Sequence, residues 1–222
     1  MACFERASGL SHAITKLGFR EPAGGYNVLT NIRTYPAVLL LYAYGLGLLK
    51  AQRFADLFKL FSTAIITGRD QAQTVASHLL LTRWEGTEND PWKLLPGLDK
   101  HKTALSDHLH ELFEGWTVDY LFTNGEYTGL FEHFELLGTL AYITLSNSKA
   151  TLQAAIQSPN RDFVWAPIGR AAWDGRTCRP ILESWKGDLQ PQLLKAGFAH
   201  GDKDYLPLAI ESIGRLASRI GW

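Results

Sequence analysis

The residues best suited to chemistry in this sequence are histidines and carboxylates in the stretch DHLHELFE. It supplies His108, His110, Glu111 and Glu114, several of which share a helix face because residues three and four apart are neighbours. These side chains could bind a metal ion if a second helix contributed ligands from the stretch FEHFE, which holds Glu132, His133 and Glu135. Neither stretch contains the Glu-x-x-His motif of di-iron bundles. A charged, solvated helix face is the preferred interpretation, a metal site or metal enzyme is the alternative, and no cofactor is expected.

A second stretch, HGDKD at residues 200–204, superficially resembles the catalytic loop of small-molecule phosphotransferases. In that family a metal-binding asparagine follows the aspartate by five residues, whereas Pro207 stands at that position here. The sequence also lacks a glycine-rich phosphate loop and the Gly-x-Ser-x-Gly motif of a nucleophilic serine. We therefore interpret the stretch as a turn in which Asp202 or Asp204 caps the final helix.

The stretch WAPIGRAAWDGR, residues 165–176, is too rich in proline and glycine to form one regular helix. It carries Trp165, Arg170, Trp173 and Arg176, and these residue types are enriched at the energetic centres of protein interfaces. They could instead cover helix ends, with the arginines bonded to C-terminal carbonyls or surface carboxylates, or stack on bases. We rank a structural lid first, a surface for a protein partner second, and a nucleotide or nucleic-acid site last.

Composition restricts the classes of partner and compartment. The 22 Lys and Arg residues balance the 22 Asp and Glu residues, so no net field attracts a polyanion or a membrane surface. Cys3 and Cys178 form neither a disulfide framework nor a zinc motif, which indicates a reducing compartment. The longest apolar run, residues 38–49, is shorter than the roughly 20 residues that cross a bilayer, and the N-terminus lacks a secretory pattern. We expect a cytoplasmic protein.

Apolar residues recur at spacings of three and four through most of the chain, which is the periodicity of amphipathic helices. The pattern predicts about eight or nine helices, including those at residues 7–17, 31–49, 72–80 and 206–220. The second is apolar on all sides and should sit at the centre. Strand-like alternation is limited to RDFVW, residues 161–165. We predict an all-α protein with a single domain over residues 1–222, folded as an irregular multi-helix bundle, with a degenerate helical-repeat solenoid as the alternative.

Three stretches of the chain carry a resemblance to a known class of protein. YPAVLLLYAYGLGLLKAQRF at residues 35–54, WAPIGR at 165–170 and AGFAHGD at 196–202 resemble the helical C-terminal sensor or regulatory regions of bacterial multidomain anti-phage defence-type proteins. In that class an effector precedes the helical region, and no effector signature precedes Tyr35 here. The resemblance implies a sensor or scaffold module and assigns no catalytic residue.

These observations together favour a non-enzymatic, α-helical interaction or regulatory module. It would present Trp165, Arg170, Trp173 and Arg176 to a protein partner, or to an effector domain on the same or a neighbouring chain. Neither membranes nor nucleic acid are expected among its partners. The alternative is a helical metal-binding protein or enzyme that uses the His/Glu cluster around His110.

Overall fold

The chain folds as an all-α bundle with one small antiparallel sheet, which confirms the predicted fold class. The computed structural model describes residues 34–66, 72–80, 91–117, 124–160, 162–173 and 175–221. In chain order, the helices and strands of these ranges are α1 (Tyr35–Lys50), α2 (Phe54–Ser62), β1 (Ala64–Ile66), β2 (Ala72–Thr74), α3 (Val75–His78), α4 (Ala104–Thr117), α5 (Asn124–Ser146), α6 (Lys149–Gln157), α7 (Gly175–Lys186), α8 (Gln190–Ala196) and α9 (Tyr205–Gly221). Across these ranges, no helix combines the length and the apolar character that crossing a membrane requires.

Helix α5 occupies the centre of the bundle. It contacts α1, α2, α3, α4, α7 and α9. Between Phe131 and Thr144 every residue is buried except His133 and Tyr142, which are half-buried. Polar groups that α5 carries in this stretch must therefore find their hydrogen-bond partners inside the protein.

Helix α1 packs beside α5 and buries only one face, although its sequence is apolar almost all round. The buried residues follow the helical repeat: Ala37, Val38, Leu41, Tyr42, Gly45, Leu46, Leu48 and Leu49. On the other side, Ala43 and Gly47 are exposed. Gly45 lets the ring of Phe134 approach the α1 backbone, because a Cβ at this position would collide with that ring. The prediction that α1 is the central helix is therefore wrong, and α5 takes that place.

The segment after α2 departs from the predicted helix over residues 72–80. Its first three residues form β2, which pairs antiparallel with β1, and only Val75–His78 are helical. A capping box sets the boundary: the Thr74 hydroxyl accepts from the Ser77 N–H, and the Ser77 hydroxyl accepts from the Thr74 N–H. The predicted strand-like stretch RDFVW contains no strand within its described residues, 162–165.

The C-terminal helix α9 packs against α6, and one arginine joins them. The Arg215 guanidinium donates to the carbonyls of Ile156 at 3.0 Å and Asp162 at 3.1 Å. Carbonyls at a helix C-terminus lack intrahelical partners, so Arg215 provides a cap for the end of α6. The predicted helix at residues 7–17 and Cys3 lie outside the described residues.

The HGDKD stretch forms the predicted turn before α9. Gly197 ends α8 in the left-handed conformation, with φ at 104°. The Asp202 carboxylate accepts from the backbone N–H of Asp204 at 2.7 Å and pairs with Lys149 at 2.9 Å. These contacts position the first turn of α9.

Candidate functional site

Residues 162–173, which we name the strap, run antiparallel to α5 along one of its faces. Four residues of α5 meet strap residues in reverse order: Tyr142 meets Trp165, Thr139 meets Pro167, Glu135 meets Gly169 and Glu132 meets Arg170. The spacing of these α5 positions, by three or four residues, is that of a single helix face. The first part of the irregular stretch, residues 165–169, is therefore a segment without regular structure that is held against the central helix, and the 3₁₀ turn Arg170–Ala172 follows it.

The strap backbone is fixed by hydroxyl groups from three helices. Buried backbone groups cost free energy unless they form hydrogen bonds, and an extended segment without a neighbouring strand needs side chains to provide them. The bonds are Val164 N–H to Ser212 Oγ of α9 at 3.1 Å, Thr139 Oγ1 of α5 to the Pro167 carbonyl at 2.6 Å, and Arg170 N–H to Ser106 Oγ of α4 at 2.9 Å. These contacts hold the strap at both ends and in the middle.

The carboxyl group of Glu135 is buried beneath the strap. When ionised, it accepts hydrogen bonds from the Tyr42 hydroxyl at 2.8 Å and from the Ser106 hydroxyl, which lies 2.7 Å from Oε2. Burial raises the pKa of Glu135 to about 8, although both hydrogen bonds act in the opposite direction. Because this pKa lies above 7, the protonated, neutral form of Glu135 dominates near neutral pH. The strap passes directly over the carboxyl group at Gly169, where a Cβ would collide with it.

Arg170 turns inward from the strap and carries the positive charge of this buried cluster. Its Nε donates to Glu132 Oε1 at 3.1 Å, and a terminal nitrogen lies 3.9 Å from Asp107 Oδ1. The Arg170 side chain is 16% exposed, whereas that of Glu132 is fully buried. Burial, together with the Arg170 charge, lowers the pKa of His110 to about 4. Arg170 thus pairs with carboxylates of the interior rather than with the helix-end carbonyls or surface carboxylates expected of a lid.

Trp173 directly follows the 3₁₀ turn Arg170–Ala172 and is both fixed and exposed. Its indole Nε1 donates to Thr103 Oγ1 at 3.0 Å, at the start of α4. The Arg170 guanidinium lies over the ring, 5.5 Å from its centroid, and 42% of Trp173 remains exposed. Trp165, at the other end of the strap, is 52% exposed and meets Tyr142 edge-on. The strap therefore displays one indole at each end, and Trp173 is the more firmly held.

A lysine lies next to the contact that holds Trp173. Lys102 precedes the threonine that accepts from the indole, and it donates to the Ile220 carbonyl at 2.6 Å, so the C-terminal end of α9 lies near the start of α4. The exposed Arg219 of α9 lies over the ring of Phe163, at the other end of the strap. Arg176, in the first turn of α7, is exposed three residues after Trp173. The predicted partner-binding residues Trp173 and Arg176 are thus both exposed and close in sequence, whereas Trp165 lies at the far end of the strap.

The histidines and acids of the predicted metal cluster occupy separate environments. His108 bonds to the Tyr35 hydroxyl at 2.7 Å, His110 bonds to Thr128 Oγ1 at 3.1 Å, His133 accepts from Trp185 Nε1 at 3.0 Å, Glu111 is exposed and Glu114 is half-buried. His108 and His110 diverge because residues two apart on a helix do not face each other. Burial lowers the pKa of His133 to about 4. Within the described ranges no three His, Cys, Asp or Glu side chains are grouped so that they could hold a metal ion.

The sequence interpretation named Glu132 and Glu135 only as possible metal ligands and missed their role beneath the strap. Glu132 and Glu135 flank His133 in a helix whose other residues are mostly apolar, and this pattern signals that both glutamates are buried and need partners. No local pattern identifies Arg170 as the partner of Glu132, because the two residues lie 38 positions apart. Likewise, nothing in the sequence around Tyr42 or Ser106 indicates that their hydroxyl groups bond to Glu135.

Comparisons with known proteins give no relative from which a role could be transferred. No protein-family model, curated protein or solved structure matches this chain at a significant level. The functional interpretation of the strap and the Trp173 surface therefore rests on the chemistry and geometry of the residues themselves.

Proposed function

We propose that this chain is a non-enzymatic interaction module that binds a protein partner at the surface around Trp173. One observation carries the proposal: an indole that is 42% exposed is held by a hydrogen bond from its Nε1 and by a guanidinium over its ring. Ordering side chains upon association costs free energy, so a residue that is ordered in advance binds more tightly. Tryptophan is also among the residues that most often dominate binding energy.

The four predicted binding residues take different roles in this proposal. Trp173 and Arg176 contact the partner directly, because both are exposed and they lie three residues apart. Arg170 is a positioning residue, since its guanidinium lies between the buried Glu132 carboxylate and the Trp173 ring. Trp165 offers a second contact at the opposite end of the strap for a partner large enough to reach it.

The proposed biological role is that of a regulatory or scaffold module in the bacterial cytoplasm. The resemblance to helical regions of defence-type proteins supports this role and suggests an effector domain, on the same or a neighbouring chain, as the partner. The burial of the strap cluster also favours binding over catalysis. Ser106 and Glu132 are completely buried and Glu135 is 2% exposed, so a substrate has no access to these groups.

The proposal is tested by measuring how Trp173 and Arg176 affect affinity for a defined partner. The partner is captured with the wild-type chain from source cells, identified, produced separately, and titrated by calorimetry against the variant Trp173→Ala/Arg176→Ala. Loss of an interface hot spot costs about 2 kcal/mol or more, so we expect Kd to rise about thirtyfold or more. Far-UV circular dichroism should remain unchanged, because both side chains are exposed.

Trp116→Ala is the matched control. Trp116 is 52% exposed near the C-terminal end of α4, about 20 Å along that helix from the end that meets Trp173. Its substitution removes an exposed indole from a different surface and should leave Kd within about twofold. Equal loss of affinity in both variants, or no loss in the Trp173 variant, would refute the proposed binding surface.

A further inference from the structure

We infer that a cleft beside His133 binds a small, uncharged molecule that has an apolar body and a carbonyl oxygen. The cleft lies where the end of α1, the start of α2, the N-terminal half of α5 and Leu189, just before α8, come together. Its volume is about 310 Å³, and sites for small ligands typically begin at about 300 Å³. The described residues that line the cleft include none from the strap, so this inference does not rest on the proposed function.

His133 supplies a hydrogen-bond donor whose position on the ring is fixed by the fold. An indole N–H can only donate, so the Nε2 atom that accepts from Trp185 at 3.0 Å must carry a lone pair. Burial lowers the pKa of His133 to about 4, which keeps the ring neutral. A neutral imidazole with a lone pair at Nε2 carries its proton at Nδ1. Because Trp185 is completely buried, this tautomer is part of the folded structure.

The Nδ1–H group of His133 is available to a ligand. It forms no hydrogen bond with any residue that the structure describes, yet it is not among the enclosed polar atoms that lack a partner in those residues. Solvent therefore reaches this nitrogen, and the His133 side chain lines the cleft. The complementary ligand atom is an acceptor such as a carbonyl oxygen.

Gln52 brings a second polar group to the cleft, at a position where glycine is usual. It follows Ala51, the C-cap of α1, and has the left-handed conformation, with φ at 53°. The Arg53 N–H donates to the Leu48 carbonyl at 2.9 Å, which completes the Schellman pattern of a helix end. A side chain costs free energy in this conformation, and yet Gln52 lines the cleft. Its amide can both donate to a ligand and accept from one.

The other walls of the cleft favour an apolar and uncharged ligand. The charged residues that line it in the described part of the chain are Lys50 and Glu126, whose formal charges cancel. Four residues of the lining are apolar: Leu49, Phe54, Leu130 and Leu189. Because His133 is neutral as well, the lining carries no net charge that would attract a carboxylate or an amine. An amide, an ester or a ketone with a short hydrocarbon chain matches this combination.

The experiment titrates the whole chain with three probes of equal chain length, hexanamide, hexanoate and hexylammonium, and follows the histidine rings by long-range proton–nitrogen NMR. Without a probe, the spectrum should show the His133 proton on Nδ1. Hexanamide should shift that nitrogen resonance, with a Kd on the order of 1 mM for so small a ligand. The two charged probes should bind about fivefold more weakly or less, because the cleft does not compensate for the loss of their hydration.

Two variants and a matched control place the probe in the cleft. Gln52→Gly should raise the Kd of hexanamide about threefold or more without lowering the midpoint of urea unfolding, because glycine suits the left-handed conformation. Leu130→Trp should fill the cleft and abolish saturable binding. Leu208→Trp enlarges another half-buried leucine, in α9 and outside the cleft, and should leave the Kd within about twofold.

Several results would overturn the inference. A proton on Nε2 of His133, or no saturable binding of hexanamide, would remove its basis. Hexanamide binding that persists in Leu130→Trp would place the probe elsewhere, and tighter binding of hexanoate would contradict the uncharged ligand class. If Leu130→Trp does not fold, Leu189→Trp fills the opposite wall and should abolish binding in the same way. None of these results bears on the Trp173 surface, which is tested with a protein partner.

Discussion

Replacing Glu135 by glutamine tests whether a protonated carboxyl supports the strap. At neutral pH the protonated group can accept from Tyr42 while its own proton is directed to Ser106 Oγ, which lies 2.7 Å from Oε2. The glutamine amide has the same shape and can donate to Ser106 in the same way. Glu135→Gln therefore preserves the contacts beneath the strap and removes only the titration.

The sign and size of the effect follow from the pKa of Glu135. Burial raises that pKa from 4.5 to about 8, so the folded state binds this proton more tightly than the unfolded state. Its contribution to stability is fully present below pH 4.5 and is lost as pH rises to 8. The unfolding equilibrium constant should thus rise about tenfold per pH unit in this window, about 5 kcal/mol in total at most. His110 and His133 have lowered pKa values and act with the opposite sign below about pH 6.5.

The assay compares urea unfolding of the wild type and Glu135→Gln at several values between pH 4.5 and 9. Taking the difference at each pH cancels the contributions of the histidines, which both proteins share. The variant should gain stability relative to the wild type as pH rises, with most of the gain complete near pH 8. Glu111→Gln, which replaces an exposed glutamate of α4, should show no such trend. A difference between wild type and Glu135→Gln that does not change with pH would refute the buried, protonated carboxyl.

Three further predictions concern the surroundings of the strap. Arg170→Met removes the cation that pairs with the buried Glu132 carboxylate, so urea unfolding should show a loss of about 3–5 kcal/mol, most of which Glu132→Gln should restore in the double variant. Gly169→Ala should cost about 1–3 kcal/mol because its Cβ would collide beneath the strap. Gly214→Ala has open space around it and should cost nothing, so equal losses would contradict the collision. Burial raises the pKa of the Cys178 thiol to about 11. In a Cys3→Ser background, alkylation of Cys178 at pH 8 should therefore be slow in the folded protein. Rapid labelling would contradict the burial of this thiol.

The helical fold could be predicted from the sequence because its signal is local. Apolar residues at spacings of three and four identify amphipathic helices wherever one face is buried. The identity of the central helix could not be read in the same way. Residues 38–49 are the most apolar, but their exposed side consists of small residues such as Ala43 and Gly47, which cost little to expose. Helix α5 is less apolar and yet more deeply buried, because its glutamates and threonines bond within the protein.

The geometry of the strap could not be predicted because it depends on contacts between distant residues. The backbone of Arg170 bonds to Ser106, 64 positions earlier, and its side chain bonds to Glu132, 38 positions earlier. The sequence does single out this stretch as irregular, since its prolines, glycines, tryptophans and arginines are incompatible with one regular helix. What it could not supply is the direction in which each side chain points. It therefore could not show that Arg170 faces the interior while Trp173 reaches the surface.

The polar cluster beneath the strap adds little stability compared with apolar side chains of the same volume, but it fixes the position of the strap on α5. An ion pair in a protein interior is often no more stable than apolar residues of the same volume, so Arg170 and Glu132 are poorly explained by stability alone. The pairing of Arg170 with Glu132 adds a directional contact to the hydroxyl bonds from Ser106, Thr139 and Ser212, and together they fix which strap residue lies at each position of α5. The same guanidinium lies over the Trp173 ring, so the register of the strap also fixes the orientation of the exposed indole. It follows that an internal ion pair governs the shape of the proposed binding surface without belonging to it.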